Sequence, residues 1–150
     1  MRSIIFCILY VIAFIPIIFL SSGCTTLGPS SGPQFTKVSI PDNKAVVYVY
    51  RLKKNSSGGL KDYVVYTNGR KAANLFNNTY VSCIVRPGLT EFKSRAGYTS
   101  SAKAYLDAGK TYYLRLDVKK GGVVGSPDLK FVDAATGEME IAVCKLATQK

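Results

Sequence analysis

The sequence predicts an all-β fold, a single antiparallel β-sandwich or small open barrel. Three observations lead there. From residue 44 onward the hydrophobic pattern repeats every two residues and not at the helical period. Turn signals built on Gly, Pro and Asn interrupt that pattern at intervals of about 8–12 residues. No segment carries an amphipathic helical stripe, and connections this short leave no room for crossover helices, so antiparallel meanders are expected to dominate. A chain of 150 residues accommodates one ordinary domain and not comfortably two.

The first element is a leader. "MRSIIFCILYVIAFIPIIFL" opens with one basic residue and continues with apolar residues broken only by Ser3 and Pro16. "SSG" then precedes Cys24, the layout of an export signal with a small-residue cut site. As an uncleaved anchor, Ile4 to Leu20 would give a helix of about 26 Å at about 1.5 Å per residue. That is short of a bilayer core of roughly 30 Å, and no Trp, Tyr, Lys or Arg follows closely as an interfacial anchor. The expected division is an export signal over 1–23, a linker over 24–34 that opens on Cys24, and a β-domain over 35–150. The linker "TTLGPSSGPQ" has a single aliphatic residue, too little apolar surface to offset the entropy of ordering.

Strands follow in order. "KAVVYVYR" (44–51) is apolar on both faces and suits a central strand covered on both sides. "DYVVYT" (62–67) and "RKAANLF" (70–76) flank Asn68-Gly69, a dipeptide that takes positive φ at both positions of a tight hairpin turn. "TYVSCIVR" (79–86) alternates, placing Val81, Cys83 and Val85 on one face. Pro87-Gly88 then turns into "TEFKSRA", which reads as polar and exposed. Gly109-Lys110 precedes "TYYLRLDV" (111–118), where Tyr112, Leu114, Leu116 and Val118 separate from Thr111, Tyr113, Arg115 and Asp117. "LKFVD" and "EMEIAVC" read as two last strands around a turn at Thr136-Gly137.

Several of these pieces carry a resemblance. The small residues before Cys24 resemble a bacterial lipoprotein signal, although Ser21 stands where an aliphatic residue is usual. That resemblance implies diacylglycerol on Cys24, cleavage before it and acylation of its amine. Thr25 is not the aspartate that commonly retains lipoproteins at the inner membrane, which implies the outer membrane, facing the periplasm, in a Gram-negative host. The series "KAVVYVYR", "VVYTNGRK", "NNTYV", "VRPG", "AGKTYYLRLDV" and "GGVVGSPDL" resembles an uncharacterised family of small bacterial lipoproteins whose domain has no assigned function. "TNGR", "RPG" and "AGYTS" more distantly resemble the PEGA type of surface β-domain, implying a transthyretin-like sandwich on a lipid tether. The resemblance supplies no catalytic residue.

Composition narrows the chemistry. With no histidine, an imidazole zinc site and any Ser-His or Cys-His pair are excluded. The four cysteines, Cys7, Cys24, Cys83 and Cys144, make no CxxC pair. In an oxidising compartment Cys83 and Cys144 could be bridged, closing a loop of about 60 residues for roughly 4 kcal/mol. Against a bridge, Cys83 alternates with core valines, as small buried thiols do. "GGVVGS" (121–126) lacks the Lys-Ser/Thr of a phosphate loop and reads as a loop or bulge. Asp133, Glu138 and Glu140 cluster near one turn without calcium-loop spacing.

The formal charge is +11, and loss of the leader removes only Arg2. Such an excess favours anionic surroundings. Arg51, Lys53 and Lys54, then Arg70 and Lys71, then Lys119 and Lys120, lie beside turns, where they serve either as a solvated face or as contacts to anionic head groups. Tyr48 and Tyr50 read as core residues with wet hydroxyls. The expectation is a lipid-anchored cell-envelope protein that binds or supports without catalysis, cofactor or metal. Its partners would be the membrane and anionic envelope components or an envelope protein, with nucleic acid not expected. Two alternatives stand beside it: a carbohydrate-acting hydrolase using the scattered carboxylates, and an uncleaved N-terminal transmembrane-anchored β-domain binding anionic envelope polymers.

Overall fold

The computed structural model describes residues 32–53, 61–119 and 125–147. The leader, Cys24, Lys54, Lys120 and the 121–124 part of the Gly-rich segment lie outside the described residues. Among the described residues, nine strands and one helix run in the order β1 (Ala45–Arg51), β2 (Tyr63–Thr67), β3 (Arg70–Leu75), β4 (Thr79–Val85), β5 (Gly88–Ala96), β6 (Tyr98–Leu106), β7 (Thr111–Lys119), β8 (Ser126–Val132), α1 (Ala134–Ile141) and β9 (Lys145–Leu146). They form two sheets, β8-β7-β1-β4-β9 and β3-β2-β5-β6, packed face to face as a sandwich.

β1 is buried along its whole length because it is central and covered on both faces. Its odd residues, Ala45, Val47 and Val49, meet Tyr63, Val65, Leu75, Phe92 and Leu106 of the other sheet. Its even residues, Val46, Tyr48 and Tyr50, enter a second core with Tyr80, Tyr113, Ile141 and Cys144. α1 and the segment from Gly32 to Ile40 roof that second core, so the molecule has three layers. Phe35 sits edge-on to Tyr48 and Tyr80, with ring centroids 5.0 and 5.1 Å away. Gln34 bridges to Lys145, and Pro33 accepts from Leu146 N, so the end of the expected linker is already part of the sheet edge.

Asn68 and Gly69 both have positive φ, 47° and 80°, as a tight β2–β3 hairpin turn requires. Four features depart from the sequence pattern. β1–β7 and β4–β9 pair in parallel, because the chain between each pair crosses to the other sheet and returns; among the described residues the β1–β7 crossover has no helix, and the β4–β9 crossover ends in α1. The sequence predicts no strand at β6, which is an edge strand whose Ser, Ala and Lys residues are mostly half-buried or exposed. β5 is not a polar exposed strand, since Thr90, Phe92, Ser94 and Ala96 face the core. The last correction is α1, which replaces the expected turn at Thr136-Gly137 and the strand "EMEIAVC". Asp133 caps it, its carboxylate accepting from Thr136 N at 2.9 Å and from Thr136 Oγ1 at 2.7 Å.

Candidate binding groove

The sandwich has one closed side and one open side. On the closed side β8 lies over β6 and β5, tied to β6 by Leu129 N donating to Ser100 Oγ at 3.0 Å and to β5 by Phe131 edge-on to Phe92. On the open side the β2–β3 hairpin faces β4 across a groove of about 730 Å³, within the size range of ligand clefts. Its walls are the hairpin end, Thr67 to Ala72, and the stretch Val81 to Arg86. Val81, Cys83 and Val85 point toward the inter-sheet core, while Ser82 and Ile84 lie on the opposite face of β4. Ile84 is 52% exposed, unusual for its type in a strand.

The groove's charge is one-sided. Arg70, Lys71 and Arg86 are exposed on its rim, and no Asp or Glu lines it among the described residues. None of the three forms an ion pair among the described residues. Elsewhere cations meet acids: Lys93 and Lys103 on Glu91, Lys110 on Asp107, Lys119 and Lys130 on Asp128, Lys37 on Glu138.

The other basic residues picked out by sequence separate in space. Arg51 is a buried structural residue, 3% exposed, and not a surface contact. Its Nη1 donates to Lys61 O at 2.6 Å and Leu75 O at 3.3 Å, and the guanidinium stacks 4.6 Å above the Tyr63 ring. Lys53 is exposed, its backbone N–H held by Asn78 Oδ1. Lys119 lies at the β7–β8 end, paired with Asp128 at 3.1 Å. Arg86, by contrast, was not singled out. It is isolated before Pro87, and only the β4 register brings it beside the hairpin.

Cys83 and Cys144 are both free and buried, in the two separate cores on opposite faces of one sheet. The bridge considered from sequence is therefore not formed. Burial pushes both thiols up, Cys144 to about 12, while Thr67 Oγ1, 3.5 Å from Cys83 Sγ, pulls weakly the other way.

The carboxylates near the former turn are committed to holding α1. Glu140 accepts from Tyr50 O–H at 2.5 Å and from Arg115 Nη1 at 2.8 Å, and Arg115 Nε reaches Asp117 at 3.0 Å. Glu138 takes Lys37 Nζ at 2.6 Å and Tyr113 O–H at 3.3 Å. Burial first, and then Glu138, lifts the Tyr113 phenol to about 12; burial and Glu140 lift Tyr50 further. Both phenols stay neutral donors, clamping the helix to the sheet. No group of three or more His, Cys, Asp or Glu among the described residues could hold a metal, and no helix among them is long and apolar enough to cross a membrane.

The family described as protein of unknown function, DUF2846, matches residues 41–127. The chain belongs to that family. No curated protein matches it. The DUF2846 match opens just before β1, ends within β8 and contains both groove walls, whereas α1 and β9 lie beyond it.

Proposed function

We propose that this DUF2846 chain is a lipid-anchored envelope protein that acts by binding an anionic partner, not by catalysis. One observation carries the binding reading: Arg70, Lys71 and Arg86 gather on one open groove with no acid among its lining residues. Cations left unmatched beside a cleft attract an anionic ligand and speed its approach. The leader and the "SSGC" stretch support attachment through acyl chains on Cys24, since two or three such chains hold a protein stably where one does not. The stacked sheets are compatible with the distant PEGA-like resemblance.

Two measurements test this reading. Cys24→Ala should release the protein from the membrane fraction or leave an unprocessed precursor, and unchanged extraction with unchanged mass would contradict lipidation. Retention on immobilised polyglutamate should fall with salt. It should fall by roughly tenfold or more in R70E/K71E, at about 1 kcal/mol per contacting cation. The control K93E/K130E makes the same change in net charge at residues already paired with acids. Equal loss in both variants would mean that overall charge, not the groove, is recognised.

A further inference from the structure

One wall of the groove is an unfinished sheet edge. β9 covers β4 only over Thr79 and Tyr80, and from Val81 to Val85 no strand among the described residues lies on its outer side. The ladder fixes which backbone groups point outward. Lys145 N and Ala147 N donate to the carbonyls of Asn78 and Tyr80, each at 2.8 Å. Even-numbered β4 residues therefore aim their N–H and C=O away from β1, and residues two apart in a strand point the same way. Ser82 and Ile84 thus offer two donors and two acceptors to the groove, spaced for another strand. An open edge of this kind is a template for pairing, normally blunted or covered.

We infer that an extended acidic segment of a partner polypeptide docks in this groove as a strand added to β4. The inference rests on the groove being an anionic-partner site and names the partner's class. Alternating N–H and C=O groups are the complement of a polypeptide strand and of neither a lipid head group nor a glycan. Exposed Ile84 gives an apolar contact to one face of the incoming strand. Arg70, Lys71 and Arg86 select carboxylates along it. A second copy of this chain fits poorly, because it would bring the same cations and a further strongly positive net charge against them, +11 less Arg2 of the leader. The rim that attracts an acidic strand therefore also keeps copies apart.

The test uses the full chain, purified in non-ionic detergent micelles, and fluorescent peptides of about eight residues, a usual strand length. An alternating Glu/Val peptide is compared by anisotropy with a Lys/Val peptide. Two further versions of the Glu/Val peptide carry N-methyl groups on alternate amides, one in each register. The Glu/Val peptide should bind saturably and the Lys/Val peptide should not. At least one N-methylated version should bind about tenfold or more weakly, and so should the parent peptide with the Ile84→Pro chain. Proline is tolerated on an edge strand where its N–H faced solvent, so the Ile84→Pro fold should persist. If that variant unfolds, the N-methylated pair carries the test alone.

Binding of both N-methylated versions as tightly as the parent would overturn strand addition while leaving an anionic-partner groove, filled by a polyanion recognised through charge. Absence of saturable Glu/Val binding would overturn it too. The groove reading itself falls with it only if R70E/K71E also matches its charge control on polyglutamate. Self-association abolished by Ile84→Pro would make the occupant a second copy, again against the inference.

Discussion

Arg51 and Arg70 carry the same charge into opposite surroundings, although both occupy core-facing positions of their strands. Arg70 pairs with Thr67, and Thr67 with buried Phe92, but Arg70 sits at the hairpin end where the sandwich opens onto the groove. Arg51 has the parity of Val47 and Val49, the side facing the other sheet, so its guanidinium must find partners inside. That signal was present in "VVYVYR", but a basic residue at a strand end reads as solvated. Arg51→Ala should lose about 2–3 kcal/mol in chemical denaturation, because it strands the Lys61 and Leu75 carbonyls. It should leave polyglutamate retention no lower than the charge loss alone explains. R70E/K71E should do the reverse. The cysteines make a second residue-scale case: alternation in "VSCIV" indicated the core for Cys83, but nothing local indicated that Cys144 belongs to a different one. With both thiols buried and their pKa values raised, a fragment from residue 32 onward should show almost no reaction with a thiol reagent at pH 8. Two thiols should react after denaturation. Zero thiols after denaturation would restore the bridge.

At the scale of elements, legibility followed hydrophobic contrast. β1 to β4 and β7 were readable because apolar residues alternate or run continuously in them, and Asn68-Gly69 announced its hairpin. β5 was misjudged because Thr90 and Ser94 fill core positions without looking apolar. β6 was missed because an edge strand needs little apolar surface. In "DAATGEMEI" alternation and helical spacing overlap over too few residues to be told apart, and the cap at Asp133 decides. Gly137 is the test residue for α1. In an exposed helix Gly→Ala would stabilise by up to about 1 kcal/mol. Here an added Cβ would lie 2.2 Å from Cγ of Tyr113. Gly137→Ala should therefore destabilise by about 1–3 kcal/mol through overpacking. A gain in melting temperature would mean that α1 does not press on Tyr113.

For the whole molecule, charge sets both the stability window and the choice of partner. Lys37 holds Glu138 below its ordinary range, and Thr136 does the same for Asp133. Burial works against ionisation of Asp128, but Lys130 and Lys119 outweigh it. A lowered carboxylate contributes stability above its unfolded pKa and loses it as the pH falls through the folded value, so unfolding should set in below about pH 4. Tyr113 and Tyr50 run the other way. Their contribution is intact below about pH 10 and is lost as the pH rises through their raised values, Tyr113 near 12. The denaturation midpoint should be flat between about pH 5 and 9 and fall on either side. A midpoint rising above pH 10 would mean that the helix clamp is not made of neutral phenols. The groove was only partly legible from sequence: Arg70 and Lys71 stood out as a pair, but their alignment with Arg86 and the bare edge of β4 exists only once the two sheets are stacked.

The most direct measurement is amide chemical-shift mapping of the isotopically labelled chain during titration with the acidic Glu/Val peptide. The account predicts shifts concentrated at Ser82, Ile84, Arg86, Arg70 and Lys71, with the Ser82 and Ile84 amides slowed in hydrogen exchange. Shifts centred instead on Lys119 and Lys130, or spread over every exposed lysine, would contradict it.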